Sequence, residues 1–227
     1  NKPLARDIRA SDALYMVYTS GSTGLPKASI ISNASFASLI QWYVTEYAFS
    51  ENDKCLVYSS IGFDLSQKNL FALLTVGGTV VLLDQKVFEP KAVVDAIATH
   101  GITYLNSAPS TFYPLLLDKD YARLSSLQRV LLGGESIQIA QLAEWIQTPS
   151  FNCQLVNMYG PTECTDIVTA YSISVEEAKN WHIDKPVPMG QPINGVELTL
   201  FNSHKQRMPR GFVGELVIGG VGVSEGY

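Results

Sequence analysis

The sequence predicts an α/β chain: layered, mostly parallel sheets with flanking helices, and the start of an antiparallel β section near the C-terminus. Three observations carry this expectation. Short apolar runs alternate with longer amphipathic stretches from about Leu14 to Met158, and strict strand–helix alternation builds a parallel sheet with helices on its faces. Several apolar runs end in loops of glycine and hydroxyl residues, at the place where ligands of a parallel sheet collect. The tail then changes character, with two β-rich runs flanking a polar turn. Hydrophobic side chains make up 46% of the 227 residues and charged ones 16%, which suits one large domain or a piece of one with a sizeable core.

Taken in order, Leu14–Tyr18 reads as a strand that runs into a Gly/Ser/Thr loop. Asn33–Tyr47 has helical spacing, with Asn33 as its candidate cap. Lys54–Ser60 reads as a buried strand and Gln67–Leu74 as a helix; Gly77-Gly78 then turns the chain into the β-branched strand Thr79–Leu83. Glu89–His100 is a helix with Gly101 just past its end, where a left-handed cap sits. Strand Ile102–Asn106, helix Ser110–Leu117, strand Gln128–Leu132, helix Ile137–Ile146 and strand Gln154–Met158 continue the pattern. Val196–Asn202 and Gly214–Ile218 flank a turn containing Pro209-Arg210-Gly211 and predict a hairpin.

Composition narrows the function classes. The formal net charge is -5 and no basic stripe stands out, which argues against nucleic acid as a partner. No apolar run approaches the roughly 20 residues that span a bilayer, so no membrane partner is expected. The first residues carry no hydrophobic signal region, and Cys55, Cys153 and Cys164 form neither a metal-ligand spacing nor a disulfide framework. A cytoplasmic location is the expectation.

Four loops carry chemistry. The strongest is Tyr18-Thr19-Ser20-Gly21-Ser22-Thr23-Gly24-Leu25-Pro26-Lys27, directly after an apolar strand. Its glycines let backbone N–H groups approach an anion, its hydroxyls donate to phosphate oxygens, and Lys27 adds a compact positive charge. It is not a Walker loop, because Pro26 precedes the lysine and Ala28 follows it. The second, Asn157-Met158-Tyr159-Gly160-Pro161-Thr162-Glu163, offers a ring to stack on a base, a hydroxyl, and a carboxylate suited to Mg2+ beside phosphate. The third, Gly133-Gly134-Glu135, strips side chains where a flat purine can approach the backbone; alone it is a common turn. The fourth is Phe63-Asp64-Leu65-Ser66. A carboxylate among apolar neighbours calls for a cation such as a substrate ammonium, while spacing alone reads Asp64 more commonly as a helix cap.

In this order, the loops resemble the adenylate-forming superfamily of acyl-CoA synthetases, luciferases and peptide-synthetase adenylation domains. Thr19–Lys27 is similar to its glycine-rich loop, Asn157–Glu163 to its Asn-x-Tyr-Gly-Pro-Thr-Glu loop, and Gly214-Glu215-Leu216 through Gly226-Tyr227 to the segment that follows. Phe63-Asp64-x-Ser66 resembles the amino-acid-activating branch, the adenylation domains of nonribosomal peptide synthetases. The resemblance implies attack of an amino acid carboxylate on the α-phosphorus of ATP, release of pyrophosphate, and loading of the acyl group onto the phosphopantetheine of a peptidyl carrier protein beside neighbouring synthetase domains. It implies that Thr19, Ser20, Gly21, Ser22, Thr23, Gly24 and Lys27 grip the β- and γ-phosphates. Gly134, Glu135 and Tyr159 would frame the adenine with Asn157 at its amino edge, and Gly160 would belong to the same nucleotide-binding loop; Thr162 would meet the α-phosphate and Glu163 would bind Mg2+.

The same resemblance lines the substrate pocket with Asp64, Leu65, Lys68, Asn106, Leu131, Gly133, Met158, Asp166 and Ile167, Asp64 receiving the ammonium group. Lys68 and Asp166 are expected to pair with each other or with a polar substrate side chain, since neither tolerates burial alone. The rival readings are an acyl- or aryl-acid ligase of the same superfamily and a catalytically incomplete interaction remnant. Two positions depart from the family pattern: Ala28 stands where glycine is usual, and Glu225 where arginine is usual. The chain is expected to be a partial core domain over residues 1–227, without the family's small C-terminal domain and its catalytic lysine.

Overall fold

The computed structural model describes residues 7–19, 26–83 and 87–226. Its centre is a seven-stranded sheet in the order β4-β3-β5-β6-β7-β8-β9. Five strands are parallel: β3 (Lys54–Val57), β4 (Thr79–Leu82), β5 (Tyr104–Ser107), β6 (Arg129–Gly133) and β7 (Gln154–Tyr159). They are the strands expected from the apolar runs. Two more, β8 (Thr169–Ile173) and β9 (Gln191–Pro192), join antiparallel on the β7 edge. The antiparallel section therefore begins well before Val196. Thr169-Ala170-Tyr171-Ser172-Ile173 hides this strand, because only its two end residues are buried.

The strand Leu14–Tyr18 lies in a separate ribbon, outside the parallel sheet. Here β1 (Ala13–Thr19) pairs antiparallel with β2 (Lys27–Ser32), and Thr19 faces Lys27 at its closed end. The second strand has little apolar alternation to announce it. Ser32 is also the true cap of α1 (Asn33–Glu46): its hydroxyl accepts from Ser35 N at 3.2 Å. Asn33, the expected cap, is the first helical residue, and its side-chain amide instead donates to Asp12 O at 3.1 Å. A short hydroxyl one residue earlier has the right reach to the orphan N–H.

The other helices are α2 (Leu65–Phe71), α3 (Pro90–His100), α4 (Pro109–Phe112), α5 (Ile139–Ile146) and α6 (Val175–Lys179). Gly101 caps α3 in the left-handed conformation at φ 62°, as its position predicted. The single helix expected over Ser110–Leu117 splits into α4 and a 3-10 turn at Tyr113–Leu116. Pro114 has no N–H to give to the preceding turn.

Alternation along the strands builds two cores. Leu56, Leu105, Val130, Leu132 and Leu155 face α3 and α5 with Val93, Ile97, Leu142 and Trp145. Cys55, Tyr104, Leu131, Val156 and Met158 face the other way, against Phe36, Leu39 and Tyr43 of α1. The expected hairpin is present as β10 (Val196–Phe201) and β11 (Glu215–Gly220). Beyond it, residues 221–226 stitch distant parts together. Ser35 Oγ donates to Val221 O, Thr165 Oγ1 to Gly222 O, and Ser224 N to Glu163 O. Glu225 N donates to Ile30 O and Ile30 N to Gly226 O, so this stretch runs beside β2. Glu225 contributes its backbone, and its side chain is exposed. Among the described residues no helix is long and apolar enough to cross a membrane.

Candidate functional site

The carboxyl ends of β3, β5, β6 and β7 open toward one side, and the connections that follow them wall two adjoining spaces. The smaller is a cavity of about 200 Å3. Asp64, Leu65 and Lys68 at the start of α2, Asn106 and Ser107 of β5, Gly133 at the end of β6 with Gly134 just after it, Met158 of β7, and Gly160, Thr162, Asp166 and Ile167 of the β7–β8 connection line it. Eight of the nine positions expected for the pocket are thus brought together. Leu131 is not among them: it lies two residues before Gly133 on the same face of β6, fully buried one layer deeper in the core.

Asp64 takes the cap role that its spacing suggests, and a hydroxyl rather than a cation meets its second oxygen. One carboxylate oxygen accepts from Leu65 N at 2.8 Å at the start of α2, and the other accepts from the Thr162 hydroxyl at 2.5 Å. Phe63 is exposed, so Asp64 is held by polar contacts rather than wedged between apolar neighbours. The buried Ser66 hydroxyl donates to Phe63 O at 2.6 Å and shapes the same turn.

Below it, Lys68 and Asp166 form an ion pair, with side chains 2% and 11% exposed. Burial pushes the Asp166 carboxyl up to about 6; the Lys68 ammonium pulls it down and the Asp64 carboxylate adds to the rise. A second polar layer supports the pair. Asn106 Nδ2 donates to Asn69 Oδ1 at 2.9 Å, Tyr104 hydroxyl donates to the same oxygen at 3.1 Å, and Tyr43 and Tyr104 hydroxyls are hydrogen-bonded.

The turn that delivers Asp166 is strained. Thr165 and Asp166 take φ of 57° and 74°, and a β-branched residue rarely adopts that region. It passes directly over Gly160, where an added Cβ would sit 2.3 Å from Asp166 O and 2.8 Å from Ile167 Cα. Glycine at 160 is thus needed for the return of this turn.

The larger space is a cleft of about 820 Å3 lined by Gly134, Glu135, Asn157, Met158 and Tyr159 on one side and residues 183–187 on the other. Gly134 and Met158 belong to both linings, so the two spaces adjoin. Tyr159 is 39% exposed at this rim. Asn157 Nδ2 donates to Pro188 O at 2.8 Å. The Glu135 carboxylate accepts from Ser110 hydroxyl at 2.7 Å and Ser110 N at 3.0 Å, tying the β6 loop to α4. The wall from Ile183 to Val187 escaped sequence reasoning; its only mark is the proline pair Pro186 and Pro188, which points to loop, not site.

Glu163 follows Thr162 in a short 3-10 turn, half-buried and outside both linings. Thr19 and Lys27 close the β1–β2 ribbon, with Thr19 Oγ1 donating to Lys27 O at 3.4 Å. Ser20, Gly21, Ser22, Thr23 and Gly24 lie outside the described residues. Among the described residues no three acidic, histidine or cysteine side chains cluster as a metal site.

Comparison with known proteins agrees with this architecture. Gramicidin S synthase 2 of Aneurinibacillus migulanus is 34% identical over 96% of this chain, which spans 5% of that synthase. The N-terminal subdomain of Klebsiella oxytoca NpsA, in complex with 3-hydroxyanthranilyl-AMSN, superposes with a TM-score of 0.81 at 27% identity. The match covers 96% of this chain and 55% of that one. The Vibrio cholerae adenylation domain AlmE, in complex with glycyl-adenosine-5'-phosphate, superposes with a TM-score of 0.83 at 25% identity, over 96% of this chain and 41% of that one. The sequence profile of AMP-binding enzymes matches residues 1–227, and the chain belongs to that family.

Proposed function

We propose that this chain forms the substrate- and nucleotide-binding part of an enzyme that activates an amino acid with ATP, within a nonribosomal peptide synthetase. A substrate carboxylate oxygen attacks the α-phosphorus; a new P–O bond forms, the bond to the β-phosphate breaks, and pyrophosphate leaves. The phosphopantetheine thiol of a peptidyl carrier protein then takes the acyl group: a thioester C–S bond forms, the acyl C–O bond to the phosphate breaks, AMP leaves and the thiol proton is released. One observation carries the reading: the Asp64 carboxylate lines a cavity that adjoins a cleft large enough for a nucleotide. An ammonium group in the cavity meets Asp64, and its carboxylate then faces Thr162, the residue that bridges to Asp64.

In the cleft, Tyr159 supplies the ring and Gly134 the bare backbone for a purine. Asn157 keeps its Oδ1 to accept from an amino edge while its Nδ2 is held by Pro188. Thr19, Ser20, Gly21, Ser22, Thr23, Gly24 and Lys27 grip the β- and γ-phosphates, and Gly160 is assigned to the turn rather than the base. Mg2+ fits a donor set of this kind, one carboxylate with phosphate oxygens and water completing the shell, and Glu163 would hold it. Bound there, the ion neutralises phosphate charge. Glu135 acts through Ser110 as a brace for the β6 loop.

Amino-acid-dependent ATP–pyrophosphate exchange in the full-length natural protein tests the proposal. Exchange is expected with one or a few amino acids, and Asp64→Ala is expected to cut kcat/KM at least a hundredfold, the scale of leaving a buried charge unmatched. A second reading, activation of an aryl acid, is favoured by the hydroxyanthranilyl ligand of NpsA. Exchange with aryl acids lacking an amine, insensitive to Asp64→Ala, would establish it instead.

A further inference from the structure

We infer that the activated amino acid carries a neutral, hydrogen-bonding side chain, an amide or a hydroxyl, because the cavity presents a self-neutralised Lys68–Asp166 pair to whatever fills it. The inference rests on the adenylation reading and specifies its substrate class. The cavity walls hold three charges: Asp64, Lys68 and Asp166. Asp64 is reserved for the ammonium group common to all amino acids. The other two sit deeper, almost closed to water, and are satisfied by each other.

Each class of side chain meets this pair differently. An acidic one must draw Lys68 away, leaving Asp166 unpaired beside a second carboxylate, Asp64, that already raises its pKa. A basic one must draw Asp166 away, leaving a 2% exposed ammonium with no carboxylate. An apolar one returns no hydrogen bond to the N–H groups and oxygen lone pairs that the pair leaves over. An amide or hydroxyl gives a donor to Asp166 and an acceptor to Lys68 without parting them. Asn106 adds to the case. Its Nδ2 is committed to Asn69 Oδ1 and Leu65 O, while its own amide oxygen accepts no hydrogen bond from the described residues. A substrate donor answers it. The aromatic and aliphatic neighbours Tyr43, Leu65, Met158 and Ile167 keep the pair dry, with Lys68 Nζ 5.9 Å from the Tyr43 ring centre.

The test is pyrophosphate exchange by the full-length natural protein with shape-matched sets: asparagine, aspartate and leucine; glutamine, glutamate and methionine; threonine and valine. In the set that reacts best, the amide or hydroxyl member is expected to lead its charged and apolar mimics by about a hundredfold or more in kcat/KM. A charged or apolar leader overturns the inference and leaves adenylation standing. No exchange with any amino acid, tested over the full proteinogenic set, overturns both. Two variants probe the cause. Asp166→Asn frees Lys68 to receive a carboxylate, so the acidic member is expected to gain at least tenfold on its amide. Lys68→Met with Asp166→Leu is expected to move preference toward the apolar member. An unchanged ranking in Asp166→Asn, with the melting temperature preserved, overturns the inference, and the double variant serves where that single change fails to fold.

Discussion

The cavity and the cleft share Gly134 and Met158 yet are built on opposite plans. In the cavity nearly every polar group is already committed: Asp64 to Leu65 and Thr162, Lys68 to Asp166, Asn106 to Asn69. In the cleft Asn157 is held by Pro188 and Glu135 by Ser110, while the rest of the wall includes glycine, a half-open tyrosine ring and a loop. A committed network discriminates, because any intruder must replace the bonds it disturbs. On the proposed reading, an open wall of backbone and ring suits a ligand that is the same in every turnover and leaves nothing to discriminate.

Breaking the committed side should hurt most. Gly160→Ala drives a methyl into the Asp166 carbonyl and is expected to cost more than about 3 kcal/mol in urea unfolding, since backbone, not a flexible side chain, must yield. Next comes pH. The Asp166 carboxyl titrates near 6 in the fold and near 3.8 in the unfolded chain, so between these values the folded state holds the extra proton. Its contribution is therefore present below about pH 3.8 and is lost as pH rises through about 6. Lys68, Asp64, Tyr15 and Tyr104 are the charged and titratable groups around it. The stability of Asp166→Asn relative to the parent is expected to climb by as much as about 3 kcal/mol from pH 4 to pH 7, read from urea midpoints at each pH.

The open side should respond more mildly and in a different currency. Tyr159→Ala is expected to raise the KM for ATP about tenfold, the scale of one lost stacking contact, while the amino acid ranking stays as it was. A changed ranking would show that the two spaces are not separable. Smallest of all, Glu225→Arg is expected to shift stability by no more than about 0.5 kcal/mol, because that residue pairs through its backbone and its side chain is exposed.

What the sequence makes legible follows the same division. Apolar runs long enough to fill a strand named all five parallel strands, and Gly101 announced its helix end. Elements whose reason lies elsewhere in the chain were silent. The β2 and β8 strands are made by their partners, not by their own alternation. Glu135 meets Ser110 from a different loop, and Asn33 lost its capping role to the hydroxyl before it. Lys68 and Asp166, 98 residues apart, were expected to pair with each other or with a substrate side chain from the cost of burying either alone, and they pair with each other. Leu131 lies one pleat layer deeper than Gly133, a depth that residue type does not encode.

The stitched seam at residues 221–226 has a kinetic consequence. Its bonds join Ile30 to Glu225, far apart in sequence, and Glu163 to Ser224. Such far-separated contacts are entropically the slowest to close and come after the local strand–helix units. Until they close, the turn bearing Thr162 and Asp166 lacks its outer anchor, so a chain can have its sheet assembled while its pocket is still unformed. Competence to bind would then lag behind the appearance of secondary structure during refolding.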